Sequence, residues 1–200
     1  MKYGMAIDLK RCIGCHACTI ACKAENGIRP GIFWNRVFDE EYGKYPMVRR
    51  RFFPRPCMHC DEAPCVAVCP SGASYKRADG IVMVDPGKCL GCGYCVVACP
   101  YGARSYNRKD GHYFPHGPTP YEKVSYAKHE VGTVEKCTFC AHKVDKGEEP
   151  ACVTTCPPRA RIFGNLEDPD SEVSRVIRAR QGRPLWPEMD TRPCVYYLSL

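Results

Sequence analysis

Residues 89–100 read CLGCGYCVVACP. Four cysteines stand at spacings of three, three and four, a proline closes the run, and no histidine interrupts it. The same C-x2-C-x2-C-x3-C spacing occurs at Cys12, Cys15, Cys18 and Cys22. At Cys57, Cys60, Cys65 and Cys69 one gap widens, and at Cys137, Cys140, Cys152 and Cys156 it widens further. All four quartets keep an opening C-x2-C and a closing C-x3-C. Pro70, Pro100 and Pro157 follow three of the closing cysteines, and Lys23 follows the other. The pattern is therefore an internal repeat that holds sixteen of the 17 cysteines, leaving Cys194 alone.

Seventeen cysteines in 200 residues is the density of a disulfide scaffold or of a metal-loaded protein. Disulfide scaffolds are shorter chains with irregular spacing. Tight, ordered quartets point to metal. Soft thiolates in fours select zinc or iron–sulfur clusters. Zinc sites need two C-x2-C pairs set well apart and often use histidine, so a third cysteine at the same short interval has no use there. A C-x2-C-x2-C loop turns three thiolates toward one centre. The fourth cysteine lies about 6 Å further along a helical turn and faces away, toward the second cluster of a pair. The spacing thus predicts 4Fe–4S clusters.

The formal charge of +7 could suggest nucleic acid. Each cluster with its thiolates carries about −2, so four bring the loaded chain near neutrality. No nucleic acid is expected as a partner. The opening MKYGMAIDLKRC has no apolar h-region, twin arginine or small-residue cleavage site. Apolar runs such as IVMV fall far short of the roughly 20 residues of a membrane span. The expectation is a soluble or peripheral chain with no export signal of its own.

Between quartets the pattern predicts short strands and tight turns. MAID (5–8) reads as a strand. FWNRVFDEE (33–41) and MVRRRFF (47–53) read as paired strands joined through Gly43 and Pro46. SYKRADGIVMVD (74–85) reads as a hairpin, and VYYL (195–198) as a closing strand. Short helices follow the cysteine loops at TIACKAEN and VVAC. SEVSRVIRARQ (171–181) is the one clear longer helix, capped by Asp170 or Ser171 and stopped by Gly182. Residues 101–136 read as a long polar insert without cysteine.

The four quartets, with KCTFC and ACVTTCP in the last, resemble the four-cluster ferredoxin-like iron–sulfur subunit of the molybdopterin oxidoreductase (dimethyl-sulfoxide reductase) family, and the resemblance covers essentially the whole chain. In style it is similar to the beta subunits of polysulfide, thiosulfate, tetrathionate and arsenate reductases. The implied fold is α+β, two pseudo-symmetric bacterial-ferredoxin-like modules of short strands, short helices and long connecting loops. Residues 1–30 plus 131–200 would form an outer module, 50–105 an inner one, 31–49 connecting strands and 106–130 a polar insert loop. The resemblance pairs the outer quartets with each other, and the inner ones likewise. One cluster takes Cys12, Cys15, Cys18 and Cys156, and its neighbour takes Cys137, Cys140, Cys152 and Cys22. The inner pair takes Cys89, Cys92, Cys95 with Cys69, and Cys57, Cys60, Cys65 with Cys99. The third-quartet position that is a non-cysteine in some relatives is Cys92 here, so four complete 4Fe–4S clusters are expected.

The resemblance further implies an electron-transfer subunit, non-catalytic by itself. It would link a molybdenum- or tungsten-pterin catalytic subunit to an integral membrane quinone-binding anchor, with no direct small-molecule substrate. The complex would be peripheral to the cytoplasmic membrane, with a signal-bearing partner as its route to the periplasmic side. A freestanding polyferredoxin, a hydrogenase-type subunit and a zinc interaction module are the rival readings. No glycine-rich phosphate loop or catalytic constellation is present.

Lesser features carry expectations too. His59 and His16 read as local packing or hydrogen-bonding residues. His112, His116 and His129 lie in an insert read first as a solvated loop, with a partner surface, a haem or an extra metal as alternatives. Arg49, Arg50 and Arg51 are expected to alternate on a strand, two exposed and one turned toward a cluster or partner. Cys194 reads as a quiet free thiol, and Phe33, Trp34, Phe52 and Phe53 as core and interface aromatics.

Overall fold

Prolines and cysteine loops interrupt the chain so often that four of the seven α-helices among its described residues are a single four-residue turn. The computed structural model describes residues 1–199. From the N-terminus come β1 (Tyr3–Asp8), α1 (Ala17–Asn26), β2 (Arg36–Tyr42), β3 (Arg49–Arg55) and α2 (Pro64–Ala67). Next are β4 (Ser74–Lys76), β5 (Val82–Val84), α3 (Tyr94–Val97), β6 (Arg104–Tyr106), α4 (Pro120–Tyr126) and β7 (Val134–Lys136). The chain closes with α5 (Ala141–Val144), α6 (Ala151–Thr154), β8 (Arg161–Asn165), α7 (Glu172–Ala179), β9 (Arg183–Pro184) and β10 (Val195–Leu198).

The largest sheet joins distant parts of the chain in the order β8-β1-β10-β9. β1 runs parallel to β10, Met5 opposite Val195, and antiparallel to β8, Ile7 opposite Arg161. Alternation gives the sheet two faces. Ala6, Ile162 and Leu198 pack against Val173, Val176 and Ile177 of α7. Met5, Ile7, Val195 and Tyr197 face the main core, where they meet Cys18, Cys57, Cys137 and Cys152. The sheet is thus a wall, helix on one side and cysteine sets on the other.

Three two-stranded hairpins complete the architecture: β2–β3, β4–β5 and β6–β7. The first two match the strands expected from sequence. Two expectations are corrected. α1, with ten residues, is longer than α7, with eight, so 171–181 is not the one longer helix. Ser171 caps α7 by accepting from the Ser174 N–H, but the helix ends at Ala179 and Gln181 takes the left-handed turn. Gly182 donates its N–H back to the Ile177 carbonyl at 2.8 Å.

The second correction concerns 101–136. The segment is bracketed by the β6–β7 hairpin and contains α4, so 106–130 is not wholly a loop. Thr119 and Glu122 form a capping box, with Pro120 at the first helical turn. The Glu122 carboxylate also accepts from the Tyr113 N–H at 2.8 Å. These bonds hold its carboxyl down at about 2.

Candidate metal centres

Each quartet opens with the same backbone device. The residue before its second cysteine is left-handed in all four: Gly14 (φ 66°), His59 (φ 44°), Gly91 (φ 66°) and Phe139 (φ 51°). That turn folds the C-x2-C segment back so that both sulfurs point inward. At Gly14 and Gly91 glycine is required twice over. A Cβ on Gly14 would lie 2.3 Å from the Phe52 ring, and one on Gly91 would lie 2.1 Å from the Gly132 carbonyl oxygen. His59 and Phe139 bear the strain as non-glycine residues and stack on each other, ring centroids 3.7 Å apart. His59 is fully buried and accepts the Val82 N–H at Nδ1, 3.1 Å away, which is the packing and hydrogen-bonding role expected of it. Burial, with Lys136 and Arg104 nearby, pushes its pKa well below the usual histidine value. His16 is exposed and lines the Cys12 cavity, and its carbonyl accepts from Thr19 and Ile20 to start α1.

The fold gathers the sixteen sulfurs into four sets. Cys12, Cys15, Cys18 and Cys156 line one small cavity. Cys57, Cys60, Cys65 and Cys99 line another, and Cys69, Cys89, Cys92 and Cys95 a third. In the fourth set, Cys22 has the thiols of Cys137, Cys152 and Cys140 as neighbours, and the Asn26 amide lies 3.8 Å from the sulfurs of both Cys22 and Cys140. Each set therefore takes three cysteines from one quartet and the closing cysteine of another. The closing cysteines leave their own sets because a short helix, α1, α2, α3 or α6, carries them away from the preceding loop.

Backbone amides converge on these sulfurs. Ser74 N–H points at Cys69 Sγ (3.3 Å), Phe139 N–H at Cys137 Sγ (3.4 Å) and Ala160 N–H at Cys156 Sγ (3.3 Å). Burial raises Cys60 to about 12 and Cys152 to about 11, and drives Cys22 and Cys137 up as well, so as free thiols these four would be neutral at pH 7. Cys69 is the opposite case; its burial is outweighed by donors from Ser74 and Ser71, which hold it down. Loading such sites with metal therefore displaces protons and offsets the cost of buried thiolates.

Three buried cations face the same space: Arg161, Arg104 and Lys136. Arg161 approaches Cys18 Sγ (3.5 Å) and Cys152 Sγ (3.7 Å). Burial works against its guanidinium, but Cys152 and Cys18 hold its pKa up. Arg104 lines the cavity of Cys57, Cys60, Cys65 and Cys99, and its Nε and Nη2 have no acceptor among the described residues. Four soft thiols per set, with the unpartnered Arg104 donors at the Cys57 cavity and the Arg161 guanidinium beside Cys18 and Cys152, fit an anionic, sulfide-bearing guest such as a 4Fe–4S cluster.

The charge compensation expected of Arg49, Arg50 and Arg51 is not where the sequence placed it. All three are exposed, with Arg50 paired to Asp39 and Arg51 to Glu40 across the β2–β3 hairpin. No residue of the run turns inward, because the hairpin has no core behind that end. The compensating cations come instead from the starts of β6 and β8 and the end of β7. His112 and His116 are exposed, whereas the side chain of His129 is buried between the Asn26 carbonyl (2.7 Å) and the Glu135 carboxylate (3.0 Å). Glu135 also accepts from Asn107 (3.0 Å) and the Trp34 indole (3.3 Å). Phe53 stacks on Tyr197, and Phe33 is partly exposed. Cys194 is a fully buried free thiol, raised by burial to about 11.

Paired thiol sets that trade their closing cysteines define a 4Fe–4S dicluster protein. Residues 48–115 and 115–166 match the 4Fe-4S dicluster domain in one family model, and residues 11–73 match a second dicluster model. Two dicluster domains imply four 4Fe–4S clusters. The chain is 44% identical to a selenate reductase subunit of Mesobacillus selenatarsenatis, over all of this chain and 72% of that protein. It is 39% identical to the arsenate respiratory reductase iron–sulfur subunit of a Shewanella species, over 99% and 96%. To a tetrathionate reductase subunit of Salmonella typhimurium it is 41% identical, over 100% and 73%. The chain belongs to the family of dicluster iron–sulfur subunits of respiratory reductases, which transfer electrons and are not themselves the catalytic subunits.

Proposed function

We propose that this chain relays electrons through four 4Fe–4S clusters between a molybdenum- or tungsten-pterin catalytic subunit and a membrane-embedded quinone-reactive subunit. The observation that carries the reading is the exchange of closing cysteines, which ties neighbouring thiol sets into pairs. Cys12, Cys15, Cys18 and Cys156 hold one cluster and Cys137, Cys140, Cys152 and Cys22 its neighbour. Cys57, Cys60, Cys65 and Cys99 hold the next, and Cys89, Cys92, Cys95 and Cys69 the last. The clusters supply reversible one-electron redox chemistry, and the chain's own residues fix their spacing, shield them from water and set their electrostatic surroundings.

The outer pair belongs to a module of residues 1–30 plus 131–200 and the inner pair to residues 50–105, two ferredoxin-like units related by pseudo-symmetry. In support, β1 pairs with β8 and β10, and all four C-x2-C loops share one left-handed turn. The outer pair faces the catalytic subunit and the inner pair the membrane subunit. Contact with quinone falls to an anchor subunit in this reading; among the described residues no helix is long and apolar enough to cross a membrane. The complex sits at the cytoplasmic membrane and reaches the periplasmic side with a signal-bearing partner.

Anaerobic purification of the native complex tests the reading. The expected result is about sixteen iron atoms per chain (four clusters of four), a co-purifying molybdenum or tungsten subunit, and reduction of the clusters by a quinol. A chain that purifies alone, loaded and active as a diffusible carrier, would make it a freestanding polyferredoxin. Zinc in place of iron would overturn both.

A further inference from the structure

The three buried cations occupy different places along the row of thiol sets. Arg161 (3% exposed) reaches Cys18 of the Cys12 set and Cys152 of the Cys137 set. Lys136 (2% exposed) donates to the Cys137 carbonyl at 2.6 Å and to the Val82 carbonyl, and Val82 lines the Cys57 cavity. Arg104 (5% exposed) lines the Cys57 cavity and donates to the Ser74 hydroxyl at 2.7 Å, and Ser74 lines the cavity of Cys69, Cys89, Cys92 and Cys95. Arg161 and Arg104 each stand five residues after a closing cysteine, Cys156 and Cys99, at the first position of a strand.

Among the described residues, no carboxylate neutralises any of the three. Their protein partners are the Asn35 amide oxygen, the Ser74 hydroxyl, two carbonyls and the sulfurs of Met5, Cys18 and Cys152. An unpaired charge is not retained in a protein interior without a counter-charge. Here the counter-charge at hand is that of the metal centres themselves, each about −2 with its thiolates.

We propose that Arg161, Lys136 and Arg104 are fixed positive charges interleaved with the four clusters, one in each gap, that favour the reduced form of the two clusters each one separates. The inference rests on the ligand assignment given under Proposed function. In each hop one electron leaves one centre and arrives on the next, with no bond made or broken and no proton moved. Because the centre gains negative charge on reduction, a stationary cation beside it stabilises the reduced form more than the oxidised one. A cation shared by two centres also offsets the repulsion between an electron on one and an electron on the other. These are positioning residues of the wire, acting through the field rather than by contact with a substrate.

Redox titration of the anaerobic complex, followed by electron paramagnetic resonance with iron counted in parallel, tests this for Arg161→Gln, Lys136→Gln and Arg104→Gln. Each variant should disfavour reduction of its two flanking clusters about tenfold or more, a midpoint lowered by at least about 59 mV for one electron. The other two midpoints should stay in place. Arg161→Lys, which keeps the charge, should restore most of the shift. Fully loaded variants with unmoved midpoints, or with all four displaced alike, would overturn the proposal. If one glutamine variant loses iron, the remaining two positions decide by the same criterion. A wild-type chain with far fewer than about sixteen irons would instead sink the ligand assignment on which the proposal stands.

Discussion

Gly91 and Gly93 sit two residues apart in the third quartet, both left-handed, with φ of 66° and 76°. Replacing either by alanine imposes the left-handed penalty of about 1–2 kcal/mol. Their surroundings then separate them. A Cβ at Gly93 meets nothing within 4 Å, whereas one at Gly91 would lie 2.1 Å from the Gly132 carbonyl oxygen and 2.9 Å from the Tyr106 hydroxyl. Relief of that overlap requires the 131–133 backbone or the cysteine loop to move, an overpacking cost of about 1–3 kcal/mol more. Gly91→Ala should therefore cost about 2–5 kcal/mol in all, a large part of a domain's stability. Because the strain falls between Cys89 and Cys92, it should also displace a ligand pair. Iron per chain and absorbance near 400 nm after anaerobic purification provide the assay. Gly93→Ala should keep its full iron complement, and Gly91→Ala should lose about one cluster's worth. Equal iron content and equal melting temperature for the two variants would refute the argument from steric geometry.

Cys92→Ser should convert or remove one cluster and leave the other three, read as a partial loss of iron; loss of all four with the fold intact would contradict the ligand sets. Cys194→Ala should retain every iron and lower stability by about 1–2 kcal/mol, the cost of a small buried cavity, by thermal unfolding of the loaded chain. Glu122→Gln should expose 108–130 to limited proteolysis, since the carboxylate anchors Tyr113 and Thr119. Its folded-state pKa of about 2 lies below the ordinary value of about 4.3. The stabilisation is therefore fully present above that ordinary value and lost as pH falls through 2. The wild-type advantage should be the same at pH 6 and pH 9; a difference that changes across this range would point to another group.

What the sequence made legible was whatever repeats or alternates. The quartets, the 74–85 and 33–53 hairpins, the 5–8 and 195–198 strands and the Ser171 cap all follow local rules of spacing and period. The helix inside 101–136 was also written locally, as Thr119-Pro120-Tyr121-Glu122, and passes unnoticed only when the segment is read by its histidines and prolines. The buried cations are a different matter. Arg49–Arg51 draws attention as a run, yet a run on an exposed hairpin has solvent on every side. Arg104 and Arg161 are single residues in ordinary contexts, and only their shared offset from a closing cysteine marks them. Lys136 stands directly before a ligand, where a lysine is ordinarily surface-bound; its burial depends on a hairpin partner far upstream, Arg104 to Tyr106. The left-handed turns at His59 and Phe139 have no glycine to announce them, and the two rings stack on each other across distant parts of the chain.

The exchange of cysteines between distant quartets has a consequence for biogenesis. The cysteines of two of the thiol sets come from the first and fourth quartets, so at a translation rate of about 5–20 residues per second the first quartet waits on the order of ten seconds for its counterpart. During that interval the emerging thiols are open to oxidation and stray metal. The two outer sets are thus complete only once Cys156 has been made, whereas the two inner sets are complete once Cys99 has been made.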